Sequence, residues 1–179
     1  FLRWAAARGT MTEPADLGPL TVSTLKGDHG NQRAEVERLA AALADLPRPD
    51  VVLLSNVILS GLAQPVKEAT GAPVMGCAKL VIADNGPRAD EAFDTTYEPV
   101  RVLEDEEAVS GDGWTLRAVA TPGHTSNHLC FALEESGALF TGDHVMGWST
   151  SVIVPPDGDM GDYLASLEKL YERDDRVYY

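Results

Sequence analysis

Two apolar runs that each end in a tight glycine turn constrain the fold of this chain more than any other feature. Both lie around residues 121–144, TPGHTSNHLCFALEESGALFTGDH. One run ends at a Pro-Gly step before His124, and the other passes through a predicted hairpin turn at Glu134–Gly137 and ends at a Thr-Gly step before Asp143. Apolar runs of this length, bounded by Gly and Pro, predict β-strands. We therefore expect a sheet whose strand ends present one histidine and one aspartate.

The strand pattern continues on both sides of this segment. Residues 101–124 predict a strand, a turn at Gly111–Gly113 and a second strand, whereas residues 83–98 predict a polar loop. Further on, Asp159 is a predicted cap of a helix. That helix carries an apolar stripe at spacings of three and four residues: Tyr163, Leu164, Leu167, Leu170 and Tyr171.

The N-terminal part follows a different pattern, in which predicted strands alternate with helices. Residues 20–25 predict a strand, and DVVLLS at residues 50–55 predicts a strand buried on both faces. Between them lies a predicted amphipathic helix, capped by Asn31, with these apolar positions: Val36, Leu39, Ala40, Leu43 and Leu46. A short helix containing Pro65 then leads to a strand at Val74. This order indicates a parallel α/β arrangement.

The net charge of the chain is −14, from 28 acidic and 14 basic residues. This balance disfavours nucleic acid, whose phosphates need clustered Lys and Arg, and it disfavours an anionic membrane surface. No apolar run approaches the roughly 18 residues of a membrane span. The opening FLRWAAARGT lacks the apolar centre of a signal peptide and is interpreted as a cut edge. Cys77 and Cys130 are predicted free thiols, and we expect a cytoplasmic protein.

His124 and Asp143 are candidate ligands of one metal ion. A hydrolytic metal site needs neutral imidazoles and carboxylates that are held rigidly, with one coordination position left for water. Because both residues follow predicted strands, the sheet can hold their backbones while their side chains stay accessible and converge. A hydrogen-bonded structural pair is an equally open interpretation of the same two residues.

TPGHTSNHLCFAL followed by ALFTGDHVMGWSTS resembles the second and third metal motifs of the metallo-β-lactamase fold. The similarity is closest to the glyoxalase-II-like and β-lactamase-like-2 branch of hydrolases, and it runs from about Thr70 to the end of the chain. It implies that His124 is a ligand of the first zinc and that Asp143, the implied catalytic residue, bridges both zincs in dinuclear members. One or two Zn²⁺ ions are thus implied. The implied reaction is attack of zinc-activated water on an ester, thioester, lactam or phosphodiester.

Five other residues lie near the candidate ligands without matching a ligand position of the family. His128 and His144 are expected either to hold the ligands through outer hydrogen bonds or to be structural. Trp148, Ser149 and Thr150 lie on a loop where they are expected to touch substrate. Simple packing is the alternative for Trp148.

The main metal motif of the family, His-x-His-x-Asp-His, is missing from this sequence. It is expected after DVVLLS, but no histidine occurs between His29 and His124. A last histidine ligand is expected shortly after DDRVYY. The resemblance therefore implies about five to seven ligands, of which two are present, so we expect weak metal binding and poor catalysis.

Residues 20–74 resemble the N-terminal Rossmann-like domain of GT-B glycosyltransferases of the glycogen-synthase-like group. The resemblance rests mainly on PDVVLLSNVILSGLAQPVKE and on KGDHGNQ. Asp28 and His29 are candidate cleft residues, with a helix-entry loop as the alternative. The two resemblances meet at TGAPV, near residues 70–77, which suggests a junction made by fusion, recombination or an assembly error.

These patterns together predict an α/β protein in two parts. Residues 1–74 form a Rossmann-like βαβ segment of glycosyltransferase type. Residues 75–179 form a partial αββα sandwich half of metallo-β-lactamase type, truncated at its C-terminus. The predicted function is metal-dependent hydrolysis of a small-molecule substrate, impaired in this chain, with no nucleic-acid or membrane partner. A GT-B glycosyltransferase fragment and a non-catalytic α/β scaffold are the alternatives, and oligomeric state and substrate identity stay open.

Overall fold

The computed structural model describes residues 64, 67, 68, 71–80, 97–147, 149–153 and 155–179. The regular elements found there are, in chain order, β1 (Met75–Gly76), β2 (Arg101–Val102), β3 (Ala108–Gly111), β4 (Trp114–Ala120), β5 (Leu129–Leu133), β6 (Ala138–Phe140), α1 (Met160–Tyr171) and β7 (Val177–Tyr178).

A five-stranded sheet in the order β3-β4-β5-β6-β7 forms the centre of this structure. Its first four strands are antiparallel neighbours. Short turns join β3 to β4 and β5 to β6, as the sequence predicts for 101–124 and 129–140, whereas residues 121–128 join β4 to β5. The predicted turns are both present, and Gly113 and Gly137 adopt positive φ angles of 78° and 64° there. Glycine reaches this left-handed region without the steric penalty of a Cβ atom, so each glycine allows its strand to reverse.

Both faces of the sheet are buried, because the central strands place apolar side chains on either side. Trp114, Leu116, Leu133 and Ala138 form one cluster. The other cluster lies on the opposite face and consists of Val119, Cys130, Ala132, Leu139 and Leu170. Strand residues alternate between faces, so the two clusters come from the same strands. Leu170 shows that α1 covers the second face.

Helix α1 begins at the predicted cap. The Asp159 carboxylate accepts a hydrogen bond from the Asp162 backbone N–H at 3.0 Å, which satisfies one of the free donors of the first turn. The predicted apolar stripe is only partly correct, because Leu164 is 53% exposed and Tyr171 is 90% exposed. The buried positions are Ser166 and Leu170. The buried face of the helix therefore differs from the predicted apolar stripe. The contacts of the helix with the preceding loops determine its rotation about its own axis.

The last strand returns parallel to β6 after the helix. The backbone N–H of Tyr179 donates to the Leu139 carbonyl at 2.8 Å, and the N–H of Thr141 donates to the Tyr179 carbonyl at 2.7 Å. The Tyr178 hydroxyl donates to the Leu170 carbonyl at 2.7 Å. Strand β6, helix α1 and strand β7 thus form a βαβ unit that anchors the helix against the sheet.

A separate parallel pair, β1 with β2, joins Met75 to Arg101 and Gly76 to Val102. The predicted strand at Val74 is thus found one residue later. Beside it, the Tyr97 hydroxyl donates to the Cys77 carbonyl at 3.0 Å. Both cysteines are free, as predicted, although only Cys130 is fully buried. Burial raises the pKa of the Cys130 thiol to about 11, which keeps it protonated.

Several sequence predictions concern residues outside the described ranges: the strand at 20–25, the helix that starts near Asn31, the strand at 50–55 and most of the polar loop at 83–98. They stay predictions, as does the Rossmann-like segment as a whole. Within the described part of the chain, no helix has the length and apolarity needed to cross a membrane. A cytoplasmic location also stays a prediction.

Candidate functional site

Two loops at one end of the sheet carry the predicted site residues. The histidine loop, residues 121–128, joins β4 to β5, and the aspartate loop, residues 141–147, follows β6. The histidine loop closes on itself, since the Thr121 N–H donates to the His128 carbonyl at 3.0 Å and the Gly123 N–H donates to the Thr125 carbonyl at 3.1 Å. Gly123 has a φ of 135°, a conformation that L side chains rarely adopt, so the loop depends on glycine at this point.

His124 and Asp143 meet across these two loops. The His124 Nε2 atom lies 3.8 Å from Asp143 Oδ2, and the two side chains are only 17% and 14% exposed. The sequence prediction that the residues converge is therefore in agreement with the geometry. A distance of 3.8 Å is too long for a hydrogen bond. The space between the two atoms is of the size that an ion occupies when both atoms bind it.

A contact on the side of the ring away from Asp143 fixes the orientation of the His124 ring. Its Nδ1 atom lies within hydrogen-bonding distance of the Val152 carbonyl oxygen. A carbonyl can only accept, so Nδ1 carries a hydrogen, and Nε2 is the ring nitrogen that faces Asp143. That Nε2 atom is buried and has no hydrogen-bond partner. Metal-binding histidines show the same arrangement, in which the second ring nitrogen donates to a carbonyl or carboxylate.

His128 lies behind the candidate ligands and is held by Thr121. Its Nδ1 atom lies 2.8 Å from Thr121 Oγ1, which in turn lies 3.2 Å from the Cys130 sulfur. Burial, together with smaller effects of the neighbouring His144 and His124 rings, lowers the pKa of His128 to about 3. A neutral imidazole that is hydrogen-bonded to a threonine agrees with the predicted outer or structural role.

His144 is completely buried and stacks on Tyr163. The two ring centroids lie 4.5 Å apart with an interplanar angle of 27°. Neither ring nitrogen of His144 has a hydrogen-bond partner. Burial, with the charge of His124 as a second cause, lowers the pKa of His144 to about 4, so the ring is neutral near pH 7. The centroid of His128 lies 5.7 Å from that of His144 and 6.0 Å from that of His124.

The aspartate loop is held by bonds to its main chain. Gly142 has a φ of 57°, which allows the sharp turn before Asp143. The Thr141 hydroxyl lies 2.7 Å from the Val145 carbonyl. The His144 carbonyl accepts hydrogen bonds from the Tyr163 hydroxyl at 2.8 Å and from the Ser151 hydroxyl. Together these contacts fix the backbone on both sides of Asp143.

The other three predicted site residues are Trp148, Ser149 and Thr150. Trp148 lies outside the described residues, and Ser149 and Thr150 are exposed. Sequence reasoning missed Ser151, Val152 and Tyr163 as residues of the site. Ser151 contributes its hydroxyl group and Val152 its carbonyl to contacts with other loops. No local sequence pattern predicts such contacts. The sequence does indicate that Tyr163 packs against the protein, because it is an aromatic residue early in a helix. It does not indicate which residue Tyr163 packs against.

The donors present fit part of a metal site. One imidazole nitrogen with a free lone pair and one carboxylate are donors that Zn²⁺ and Fe²⁺ accept. Among the residues described by the structure, no group of three or more His, Cys, Asp or Glu side chains is arranged to hold a metal ion. His124 and Asp143 could thus supply two ligands, whereas a metal site normally needs at least a third.

Comparison with known proteins identifies the lineage. A family model described as the metallo-beta-lactamase superfamily matches residues 60–179. The chain belongs to this superfamily. The metallo-β-lactamase resemblance and the hydrolase lineage predicted from the sequence are thereby confirmed for this part of the chain. The match begins at residue 60, upstream of the predicted domain boundary at 74/75.

Two fungal relatives share short but similar stretches with this superfamily member. The atrochrysone carboxyl ACP thioesterase AgnL7 of Paecilomyces divaricatus is 46% identical over 79 residues, which are 44% of this chain and 24% of the relative. The lactamase-like protein nscB of Neosartorya fischeri is 50% identical over 66 residues, 37% of this chain and 19% of the relative. The chain thus spans about a quarter or less of the length of the curated relatives it matches.

The fold also agrees with a solved structure. The crystal structure of TTHA1623 in a di-iron-bound form superposes with a TM-score of 0.61 at 26% identity, covering 94% of this chain and 90% of the other. These similarities support a metallo-β-lactamase fold. They give no support to the predicted glycosyltransferase resemblance of residues 20–74.

Proposed function

We propose that this chain carries part of the active site of a metal-dependent hydrolase that cleaves a thioester. The observation that supports this proposal is the pairing of His124 Nε2 with Asp143 Oδ2 at 3.8 Å in a largely buried position. A buried imidazole nitrogen without a hydrogen-bond partner is costly unless something binds it. A divalent cation satisfies both atoms at once, since it accepts the lone pair of His124 and neutralises the Asp143 carboxylate.

The surrounding residues favour such a cation. His128 and His144 are neutral near pH 7, because burial lowers the pKa of His128 to about 3 and that of His144 to about 4. These two rings therefore bring no positive charge to the cluster near pH 7. Val152 holds the His124 ring in the tautomer that presents Nε2.

Each protein group has a separate task in the proposed reaction. A divalent metal ion, Zn²⁺ or iron, supplies Lewis-acid activation of water when bound. His124 would hold the ion through Nε2. Asp143, the proposed catalytic residue, would hold it through its carboxylate and would accept a hydrogen bond from the attacking water. The sheet and the two loops keep these atoms in place, so little reorganisation is needed during the reaction.

The thioester is the substrate class favoured by the relatives. AgnL7, with 46% identity over the matched segment, is named as an acyl-carrier-protein thioesterase. We extend this reaction class, hydrolysis of an acyl thioester, to this chain on the strength of that similarity. Esters, lactams and phosphodiesters are the other substrates that an activated water of this kind attacks.

Metal binding is proposed to be weak and turnover slow. The chain has four histidines in total, and none lies between His29 and His124, where the family motif His-x-His-x-Asp-His is expected. Two protein ligands bind an ion less firmly than the three or four of ordinary zinc sites. A non-catalytic scaffold is the second candidate function, and the lack of a three-ligand group among the described residues favours it.

Metal content decides between these two functions. The full chain is loaded with Zn²⁺ or Fe²⁺, dialysed against metal-free buffer and measured for metal per chain and for hydrolysis of an acyl thioester by thiol release. The hydrolase proposal expects bound metal that is lost in His124→Ala and retained in Tyr171→Ala, a control whose side chain is 90% exposed. Absence of metal from the wild-type chain, with no thiol release, would instead establish the scaffold.

A further inference from the structure

The first turns of helix α1 contact both loops of the candidate site, and a single residue, Tyr163, contacts both loops. The Tyr163 hydroxyl donates to the His144 carbonyl at 2.8 Å, and its ring stacks on the His144 ring with the centroids 4.5 Å apart. Both contacts fall on the residue that directly follows Asp143. Tyr163 therefore holds the aspartate loop through a hydrogen bond to its main chain and through a face of its ring.

The backbone of the same residue lies against the histidine loop. A Cβ atom added to Gly123 would lie 2.3 Å from the Tyr163 Cα atom, so the two main chains are in direct contact. Two hydrogen bonds reinforce this contact, from the Asp159 N–H to the Gly123 carbonyl at 3.0 Å and from the Ser166 hydroxyl to the Pro122 carbonyl at 2.7 Å. The helix thus fixes the two residues that directly precede His124.

These contacts connect the two candidate ligands through a single residue, whose side chain contacts the aspartate loop and whose backbone contacts the histidine loop. His124 and Asp143 belong to different loops, and the gap between their Nε2 and Oδ2 atoms depends on how the loops sit relative to each other. We propose that Tyr163 is a positioning residue that sets this gap to the width required by one metal ion. The inference rests on the proposed function, and it adds a residue that does not itself bind metal.

Simple packing does not explain both contacts of Tyr163. A core position needs an apolar ring but no hydroxyl group, and a phenylalanine would supply the same stacking surface. The hydroxyl group instead donates a hydrogen bond to a carbonyl in the aspartate loop, which also accepts a hydrogen bond from the Ser151 hydroxyl. Because Ser151 shares this carbonyl, loss of the Tyr163 hydroxyl alone weakens the loop without releasing it. Loss of the whole ring removes both the bond and the stacking.

The test compares Tyr163→Phe and Tyr163→Ala with Tyr171→Ala in the full chain. Tyr171 is a matched control, because it is a tyrosine of the same helix but 90% exposed. The zinc dissociation constant is measured by competition with a chromophoric chelator. Amide hydrogen exchange of residues 121–128 and 141–147 is measured on the metal-free proteins. Partners that orient metal ligands typically change metal affinity about 10- to 100-fold, so this is the expected loss in Tyr163→Ala.

The expected pattern separates positioning from general stability. Zinc affinity falls about tenfold in Tyr163→Phe and further in Tyr163→Ala, in the order of contacts removed, and it is unchanged in Tyr171→Ala. Exchange becomes faster in both loops of Tyr163→Ala, while strand β4 keeps its protection. If Tyr163→Ala does not fold, Tyr163→Phe decides, because it keeps the ring.

The positioning role of Tyr163 and the proposed hydrolase function are contradicted by different results. Wild-type zinc affinity in both Tyr163 variants overturns the positioning role while leaving the hydrolase proposal standing. A wild-type chain that binds no zinc overturns the proposed function, and hydrogen exchange then decides alone. Faster exchange confined to the two loops supports the link made by Tyr163, and unchanged exchange refutes it.

Discussion

His124 Nε2 and Asp143 Oδ2 face each other at 3.8 Å from two loops that lie at the same end of the sheet. The His124 ring cannot turn away to find another partner, because its Nδ1 atom is bonded to the Val152 carbonyl. A divalent cation between the two atoms would bind both the imidazole nitrogen and the carboxylate oxygen. We therefore expect metal binding to depend on both side chains.

Asp143→Asn tests this dependence. The amide keeps the size of the carboxylate but removes its charge, so the variant is expected to bind zinc no better than His124→Ala. Metal per chain, measured by elemental analysis after dialysis, gives the comparison. Glu98→Gln is a suitable control, since Glu98 is an exposed acid paired with Lys79 away from the site. Wild-type zinc content in Asp143→Asn would remove Asp143 from the ligand set.

The buried histidines predict that the metal-free protein loses stability in mild acid. Burial lowers the pKa of His128 from 6.5 to about 3 and that of His144 from 6.5 to about 4. Both groups are neutral in the folded chain and take up a proton on unfolding below pH 6.5, so the unfolded state binds more protons. The stability they contribute is complete above pH 6.5 and is lost as the pH falls toward their folded-state pKa values. Each costs about 1.4 kcal/mol per pH unit in this window.

Urea unfolding of the metal-free chain between pH 7 and pH 4.5 measures this slope. His128→Gln is expected to reduce it by the share of one histidine, because the amide can keep the contact with Thr121 without titrating. His29→Ala serves as a control for the loss of a histidine elsewhere in the chain. A slope in His128→Gln that equals the wild-type slope would show that His128 titrates normally in the fold.

The hydrogen bonds at the end of β4 predict a second, weaker dependence of the free energy of unfolding on pH. Asp105 accepts hydrogen bonds from the Ala120 N–H at 2.7 Å and from Lys169 Nζ at 2.6 Å. Partial burial acts to raise the pKa of Asp105, but the bonds from Lys169 and Ala120 outweigh it and leave the pKa below its usual value. A lowered pKa means that the carboxylate stabilises the fold above pH 4 and loses this contribution as the pH falls further.

Asp105→Asn is therefore expected to lower the free energy of unfolding at pH 7 by about 0.5–1.5 kcal/mol, and by less near pH 3. The estimate is small because both side chains are about one-third to one-half exposed. Glu98→Gln provides the comparison, since an exposed pair contributes little. Chemical denaturation at both pH values measures the difference. Equal effects of the two substitutions at pH 7 would mean that the Asp105–Lys169 link does not secure helix α1.

The parts of this fold that could be predicted from the sequence depend on neighbours in the chain. The turns at Gly113 and Gly137 need glycine for their positive φ angles, and Asp159 caps a helix whose first donors lie within three residues. The strand ends at His124 and Asp143 follow from the same local signals, which is why those two residues could be proposed as a pair. Each of these features is decided by interactions over a few residues.

The features that could not be predicted depend on contacts between distant segments. The exposure of Leu164 and Tyr171 follows from the way α1 rotates to meet the histidine loop, although both residues fit the apolar stripe. The bond from His124 to the Val152 carbonyl involves a main-chain atom, which leaves no trace in residue identity. The stacking of His144 on Tyr163 joins two elements across the site. Tertiary packing decides such contacts, so periodicity and propensity carry no information about them.

Gly123 gives the sharpest test of how the histidine loop meets helix α1. Its φ of 135° strains any other residue, and a Cβ atom would lie 2.3 Å from the Tyr163 Cα atom, where the main chain cannot yield as a flexible side chain would. Gly123→Ala is expected to destabilise the fold by about 2–4 kcal/mol and to abolish zinc binding, because the loop must move away from the helix to accept the methyl group. Gly147→Ala is the matched control: it lies in the aspartate loop with no atom near the added carbon. Urea unfolding and zinc titration of both variants measure the effect. A Gly123→Ala protein with wild-type stability and zinc affinity would show that the loop does not need its contact with Tyr163.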